Sequence, residues 1–193
     1  MKKIATTLAV VSAAALMTAC GGGGGSSGAV SAEYQITLQA DKVKLPVNVA
    51  NVYPGISVYS PFTTVLHVNA TVGGAPIPNM DENTFACNIS SGLKVGALYY
   101  LDGKDEHMVE IDDGAGGKIK VPGAYRNITL GANAGGNSFH FHSGDEAGSA
   151  RITCSVMDPR DRTQKFASVD IEVGSGGGEP EPDDEVGPCP SVE

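Results

Sequence analysis

The side chains in this sequence best placed to do chemistry are the two histidines of Phe139-His140-Phe141-His142. Histidines at i and i+2 project from one face of a strand, so this pair could share a zinc or copper ion. The same spacing has a plainer reading. With Phe139 and Phe141 filling a core, His140 and His142 simply face outward, and neither His67 nor His107 stands at a spacing that marks a third ligand. Asp102, Asp105 and Glu106, and separately Asp112 and Asp113, offer oxygens to calcium, but neither cluster follows the ordered EF-hand spacing, which favours solvated turn carboxylates. Nucleophilic catalysis leaves no motif. The chain has no Gly-x-Ser-x-Gly elbow and no His-Glu-x-x-His. Gly117-Lys118 is followed by Ile119 and is no P-loop, and the glycines from Gly131 to Gly136 read as a turn or loop. Serines, histidines and aspartates are scattered along the chain, and a triad is a spatial arrangement that scatter does not establish. The expectation is a non-enzymatic protein without a cofactor.

The elements that must carry these side chains show a period of two. Tyr34–Ala40 alternates apolar and polar residues, and Val65–Val72 places Leu66, Val68, Ala70 and Val72 in one phase. Thr84–Ile89 gathers Phe85, Cys87 and Ile89 on one side. Ala97–Leu101 and His107–Ile111 flank Asp102-Gly103, a tight-turn dipeptide that predicts a hairpin. A second hairpin-like break falls at 112–117, followed by shorter strands at Lys118–Val121 and Tyr125–Leu130. Ser138–His142 and Ala150–Val156 are separated by a turn at Gly144–Ser149, with Ile152, Cys154 and Val156 in one phase. Phe166–Val173 lines one face with Ala167, Val169, Ile171 and Val173. Short strands with turns every 8 to 12 residues or so predict an all-β, two-sheet β-sandwich of about 7–9 strands, with almost no helix.

Composition narrows the partners. The formal net charge is -9, and removal of Lys2 and Lys3 with an export signal makes the chain more acidic still. With no basic patch to neutralise phosphates, nucleic acid is excluded as a partner. Tryptophan is absent, and 26 glycines with recurrent Val, Ile and Thr fit strands and turns. Four segments follow. Residues 1–19 read as a signal peptide and 20–32 as a Gly/Ser-rich flexible linker with a span of about 20 Å. Residues 33–173 form the sandwich domain, and 174–193 a glycine-rich, then acidic and proline-broken tail.

The amino-terminal signal has the expected order: Lys2 and Lys3, an apolar run from Ile4 to Met17 too short to span a bilayer, then small residues closing on Cys20. Leu16-Met17-Thr18-Ala19-Cys20 also resembles the lipobox of bacterial lipoproteins, with Met17 where leucine is commoner. That resemblance implies cleavage before Cys20, diacylglycerol on its sulfur and a further acyl chain such as palmitate on the new amino terminus. Two or more chains anchor a protein durably, where one does so only marginally. Gly21, in place of an aspartate, points through the same resemblance to the outer membrane, on its periplasmic face or at the cell surface.

A second resemblance covers nearly the whole domain. Ile36-Thr37-Leu38-Gln39-Ala40-Asp41, Leu45-Pro46, Val65 to Pro78, Phe85, and Ala147-Gly148-Ser149-Ala150-Arg151-Ile152-Thr153 with the strand to Val173 look like bacterial immunoglobulin-like domains of the invasin and intimin type. It implies an adhesive or spacer module at the cell surface, with a protein or cell-surface ligand. With Cys20 lipidated, Cys87, Cys154 and Cys189 allow three single pairings. Cys87 and Cys154 share the inward phase of strand interiors, so the expected bridge joins them across the sandwich in an oxidising compartment. Cys189 is then left as a free thiol that could join another chain. Asp158, Arg160, Asp161 and Arg162 form a charged loop at a sandwich end, where recognition loops cluster, and are the candidate partner-binding residues. The alternative function is a periplasmic metal- or small-ligand-binding lipoprotein using His140 and His142.

Overall fold

The computed structural model describes residues 32–55 and 60–174. The signal, Cys20, the linker, Cys189 and the tail lie outside the described residues. The chain forms β1 (Tyr34–Ala40), β2 (Lys44–Pro46), β3 (Thr63–Val72), β4 (Ala75–Pro76), β5 (Met80–Ser91), β6 (Gly96–Tyr99), β7 (Met108–Asp112), β8 (Lys118–Pro122), β9 (Asn127–Ala132), β10 (Gly136–Ser143), β11 (Gly148–Met157) and β12 (Gln164–Gly174). The helical structure among the described residues is a single 3-10 turn at Asp105–His107.

The first sheet runs β1-β3-β10-β6, with β4 added to β3, and the second runs β2-β12-β11-β5-β9. The chain opens on the first sheet with β1 and crosses to lay β2 parallel to β12 on the second. With β12-β11-β5 facing β1-β3-β10-β6, this is an immunoglobulin-like β-sandwich. It has more strands than the alternation predicts, because β2 and β4 are too short to show a period and β7-β8 form a separate ribbon.

Alternation explains the core. Leu66, Val68 and Ala70 of β3, Leu98 of β6, and Phe139 and Phe141 of β10 point inward from the first sheet. Phe85, Cys87 and Ile89 of β5, Ile152, Cys154 and Val156 of β11, and Ile171 and Val173 of β12 meet them from the second. Burial at roughly 25 cal/mol per Å² of apolar surface makes this interior the main favourable contribution to the fold.

The Asp102-Gly103 hairpin does not form. Gly103 does take a positive φ of 73°, but β6 pairs with β10 and β7 pairs with β8. Leu98 and Tyr99 are buried and hold β6 in the first sheet, whereas no residue of β7 is fully buried, so the chain leaves through the 3-10 turn into the ribbon. A tight turn occurs instead between β9 and β10, where Asn133 and Gly136 exchange both backbone hydrogen bonds, at 2.8 and 3.1 Å. Its central residues, Ala134 and Gly135, have φ of 49° and 88°, the two positive values a type I′ turn requires. This turn carries the chain from the second sheet to the first.

Candidate functional site

The outer face of the first sheet collects the polar residues whose neighbours face the core. Because Leu66 and Val68 point inward, His67 points out, and because Phe139 and Phe141 point inward, Ser138, His140 and His142 point out. Register then aligns Gln39, His67 and Ser138 across β1, β3 and β10. His67 Nδ1 lies 2.9 Å from Ser138 Oγ, and His67 Nε2 lies 3.0 Å from Oδ1 of Asp41, which follows β1 directly. An ionised carboxylate can only accept, so the proton of a neutral His67 sits on Nε2, and Nδ1 accepts the hydrogen bond that the Ser138 hydroxyl donates. Sequence inspection missed this trio because it spans three strands. The outward phase of His67 and Ser138 was readable, but their adjacency depends on β3 pairing with β10.

His140 and His142 share this face, as the i, i+2 spacing requires, but His142 does not reach solvent. The segment after β2 folds over it, leaving it 4% exposed. Its Nδ1 lies 2.8 Å from Thr63 Oγ1 and its Nε2 lies 2.8 Å from the Val52 carbonyl oxygen. A carbonyl only accepts, so Nε2 carries the proton and Nδ1 accepts from the Thr63 hydroxyl. Asn48, itself buried, pins Val52 through hydrogen bonds of 2.9 Å to its N–H and its C=O. The rings of Tyr99 and Phe62 stand edge-on at 5.8 and 6.2 Å. Burial pushes the His142 pKa down and does the same to His140, whose Nδ1 is buried without a hydrogen-bond partner. Both ring nitrogens of His142 are therefore engaged within the protein, so of the His140 and His142 pair His142 offers no free nitrogen to a metal. Among the described residues, no group of three or more His, Cys, Asp or Glu is placed to hold a metal ion.

Two clefts open beside the Asp41, His67 and Ser138 row. The larger, about 610 Å³, runs from Asn137 and Ser138 past Thr129 to Tyr100, Asp102 and His107. There His107 Nδ1 sits 2.9 Å from Asp102 Oδ1, and its ring stacks on Tyr100 with centroids 3.9 Å apart. Burial pushes the Asp102 carboxyl up, but the hydrogen bond from His107, the Lys104 amide and both positive charges together pull it below its ordinary value. The second cleft, about 550 Å³, is lined by Gln39, His67, Asn69, Asn133, Asn137 and Ser138, with Ala134 and Gly136 at its turn. Glycine at 136 leaves room here, since a Cβ at that position would fall 2.8 Å from the Val68 carbonyl oxygen. The other acidic clusters are occupied locally: Lys120 pairs with Asp105 at 2.8 Å, and Asp113 accepts from the amides of Ala115 and Gly117 at the ribbon tip.

The β11–β12 loop is built differently from the expected open contact surface. Asp158 is 2% exposed. It accepts from Arg160 N at 3.0 Å, Nε at 2.9 Å and a terminal guanidinium nitrogen at 2.7 Å, and these bonds hold its carboxyl down at about 2. Arg160 also bonds the Ala32 carbonyl and lies over the Tyr34 ring at 5.7 Å, clasping the loop to the start of β1. Asp161 accepts from Thr163 N and Oγ1. Asp158 is thus held inside the domain as a structural carboxylate, while the arginine that covers it stays at the surface. Asp161 and Arg162 remain at the surface.

Cys87 and Cys154 are bonded, with Cα atoms 4.0 Å apart. The bridge does not cross the sandwich. The two cysteines are register partners on adjacent strands β5 and β11 of the second sheet, so their shared inward phase reflects a shared sheet.

Fold and site together define an all-β, immunoglobulin-like sandwich protein with a polar, cleft-flanked outer sheet face. No protein family's model matches the chain, and no curated protein does. Among solved structures, it is similar to one titled "Crystal structure of BslA - A bacterial hydrophobin", at 10% identity and a TM-score of 0.29, over 75% of this chain and 98% of that one. A likeness at that level carries no weight for function.

Proposed function

We propose that this chain is a lipid-anchored cell-envelope protein whose immunoglobulin-like domain, of the invasin kind, serves as a surface interaction or spacer module held out on a glycine-rich tether. The observation that carries the reading is the buried Cys87–Cys154 disulfide. A stable disulfide belongs to an oxidising compartment, which is where the Lys2, Lys3, apolar run and Cys20 pattern would deliver the chain. The Leu16 to Cys20 pattern adds the anchor, and Gly21 favours the outer membrane as its destination. With Asp158 buried, the contact surface we favour is the pair of clefts beside Ser138, one on the outer face of the first sheet and the larger reaching across to β9 of the second. The larger, about 610 Å³, falls within the roughly 300–1,000 Å³ range of small-molecule sites.

The test is metabolic labelling with an alkyne fatty acid in cells expressing the wild type or Cys20→Ser. Label on the wild type in the outer-membrane fraction, and none on Cys20→Ser, supports the reading. Equal label on both, or an unlabelled wild type, overturns it.

A further inference from the structure

We propose that Asp41, His67 and Ser138 form a nucleophilic centre that hydrolyses acyl esters of uncharged, hydroxyl-rich compounds. The inference stands on geometry independent of the anchor. Three side chains, one from the residue directly after β1 and the others from β3 and β10, meet in a continuous hydrogen-bonded relay, 3.0 Å from Asp41 to His67 and 2.9 Å from His67 to Ser138. Asp41 fixes the tautomer that leaves the Nδ1 lone pair facing the Ser138 hydroxyl, so base and nucleophile are already aligned. The nitrogens are used in the reverse order from the usual serine triad, with the serine on Nδ1, but the roles follow from which group faces each nitrogen.

Ser138 is exposed and lines both clefts, so a substrate can reach it. Unlike the larger cleft, which carries Glu82, Asp102, Lys104 and Glu106, the smaller one has no lysine, arginine, aspartate or glutamate in its lining. Its polar groups are chiefly the carboxamides of Gln39, Asn69, Asn133 and Asn137. Carboxamides both donate and accept, which suits hydroxyl groups rather than ions. The Asn137 amide nitrogen is already committed to the Gly131 carbonyl, and its oxygen to the Ser138 N–H. Gln39, the register partner of His67, lines the same cleft with its carboxamide.

The chemistry balances with water as the sole co-reactant. Ser138 Oγ attacks the ester carbonyl carbon as its proton passes to His67 Nδ1, and Asp41 stabilises the resulting imidazolium through Nε2–H. The tetrahedral adduct collapses, the bond to the alkoxy oxygen breaks, and His67 returns the proton to the departing alcohol. Water, deprotonated by His67, then attacks the acyl-serine, releasing the carboxylic acid and restoring the Ser138 hydroxyl. The side chains of His67 and Asp41 are 42% and 55% exposed. Charge stabilisation is weaker where water enters, so the centre suits esters rather than the less reactive amides.

The test treats the full chain, purified in detergent, with a fluorophosphonate probe and with 4-nitrophenyl acetate. The expected result is one phosphonyl adduct mapped to Ser138, lost in Ser138→Ala, and ester hydrolysis lowered by about 10²-fold in Ser138→Ala and His67→Ala. Asp41→Asn should slow both reactions, and Ser168→Ala, an exposed serine of the second sheet, should leave both unchanged. Absence of an adduct on the wild type, an adduct at another residue, or Ser138→Ala hydrolysing at the wild-type rate would overturn the proposal. The wild-type labelling decides the matter even if a variant fails to fold.

Discussion

His142 shows how a residue suited to metal chemistry becomes a structural one. Alternation places it on the outer face of its strand, but Thr63, Val52 and Asn48 arrive from the strand and loop that cover it, and no local pattern announces that cover. Truncating it strands the buried Thr63 hydroxyl and removes one of the two hydrogen bonds to the Val52 carbonyl. His142→Ala should therefore lower stability by about 1–3 kcal/mol in urea denaturation. Its depressed pKa also has a sign. Below an unfolded value near 6.5 the unfolded chain binds more protons than the folded one, so stability falls as pH drops through that region and is full above it. Thermal midpoints should decline from pH 7 to pH 5 in the wild type and decline less in His142→Gln; equal slopes would contradict the buried neutral histidine. Asp158 acts lower on the scale. With its folded value held at about 2, its contribution is present above the ordinary carboxylate value and disappears as pH falls toward 2. Asp158→Asn should melt below the wild type at pH 7 and converge with it near pH 2. The burial of Asp158 was not legible for a general reason: charge and proline next to a strand usually mean solvation, and only the approach of Arg160 to the start of β1 and the Tyr34 ring covers this one carboxylate.

Among the elements, period-two alternation was the most legible feature. The inward residues of β3, β5, β11 and β12 stand where Leu66, Phe85, Ile152 and Ile171 predicted. Pairing was not legible, since alternation says which face a residue takes but not which strand lies beside it. For that reason Cys87 and Cys154 could be matched while their sheet was misplaced, and His67 and Ser138 could be faced outward without being seen as neighbours. The disulfide closes a loop with a sequence separation of 67 that contains β6 through β10. Replacing both cysteines by alanine should cost about 4 kcal/mol on the chain-entropy view, read as a lower thermal midpoint under non-reducing conditions. The β9–β10 turn offers the opposite test. Ala134 holds a positive φ that asparagine tolerates better at the first central position of a type I′ turn. Ala134→Asn should raise stability by roughly 0.5–1 kcal/mol, and a lowered midpoint would contradict the turn assignment.

At the scale of the whole molecule, the described residues make a two-sheet sandwich with its polar interest concentrated on one outer sheet face, and the residues proposed to carry export and lipidation, Leu16 to Gly21, precede it in the sequence. An acidic chain with a disulfide core suits an extracytoplasmic setting and gives nucleic acid no electrostatic footing. On this account loss of the anchor should release a folded, disulfide-bonded domain rather than unfold it. The most direct test is the intact mass of the protein extracted from membranes, taken before and after reduction. The account predicts a chain that begins at Cys20 and carries the mass of a diacylglycerol and a further acyl chain, and that gains two hydrogens when the Cys87–Cys154 bond is reduced. A chain that retains Met1, or one cleaved without added lipid, would contradict it.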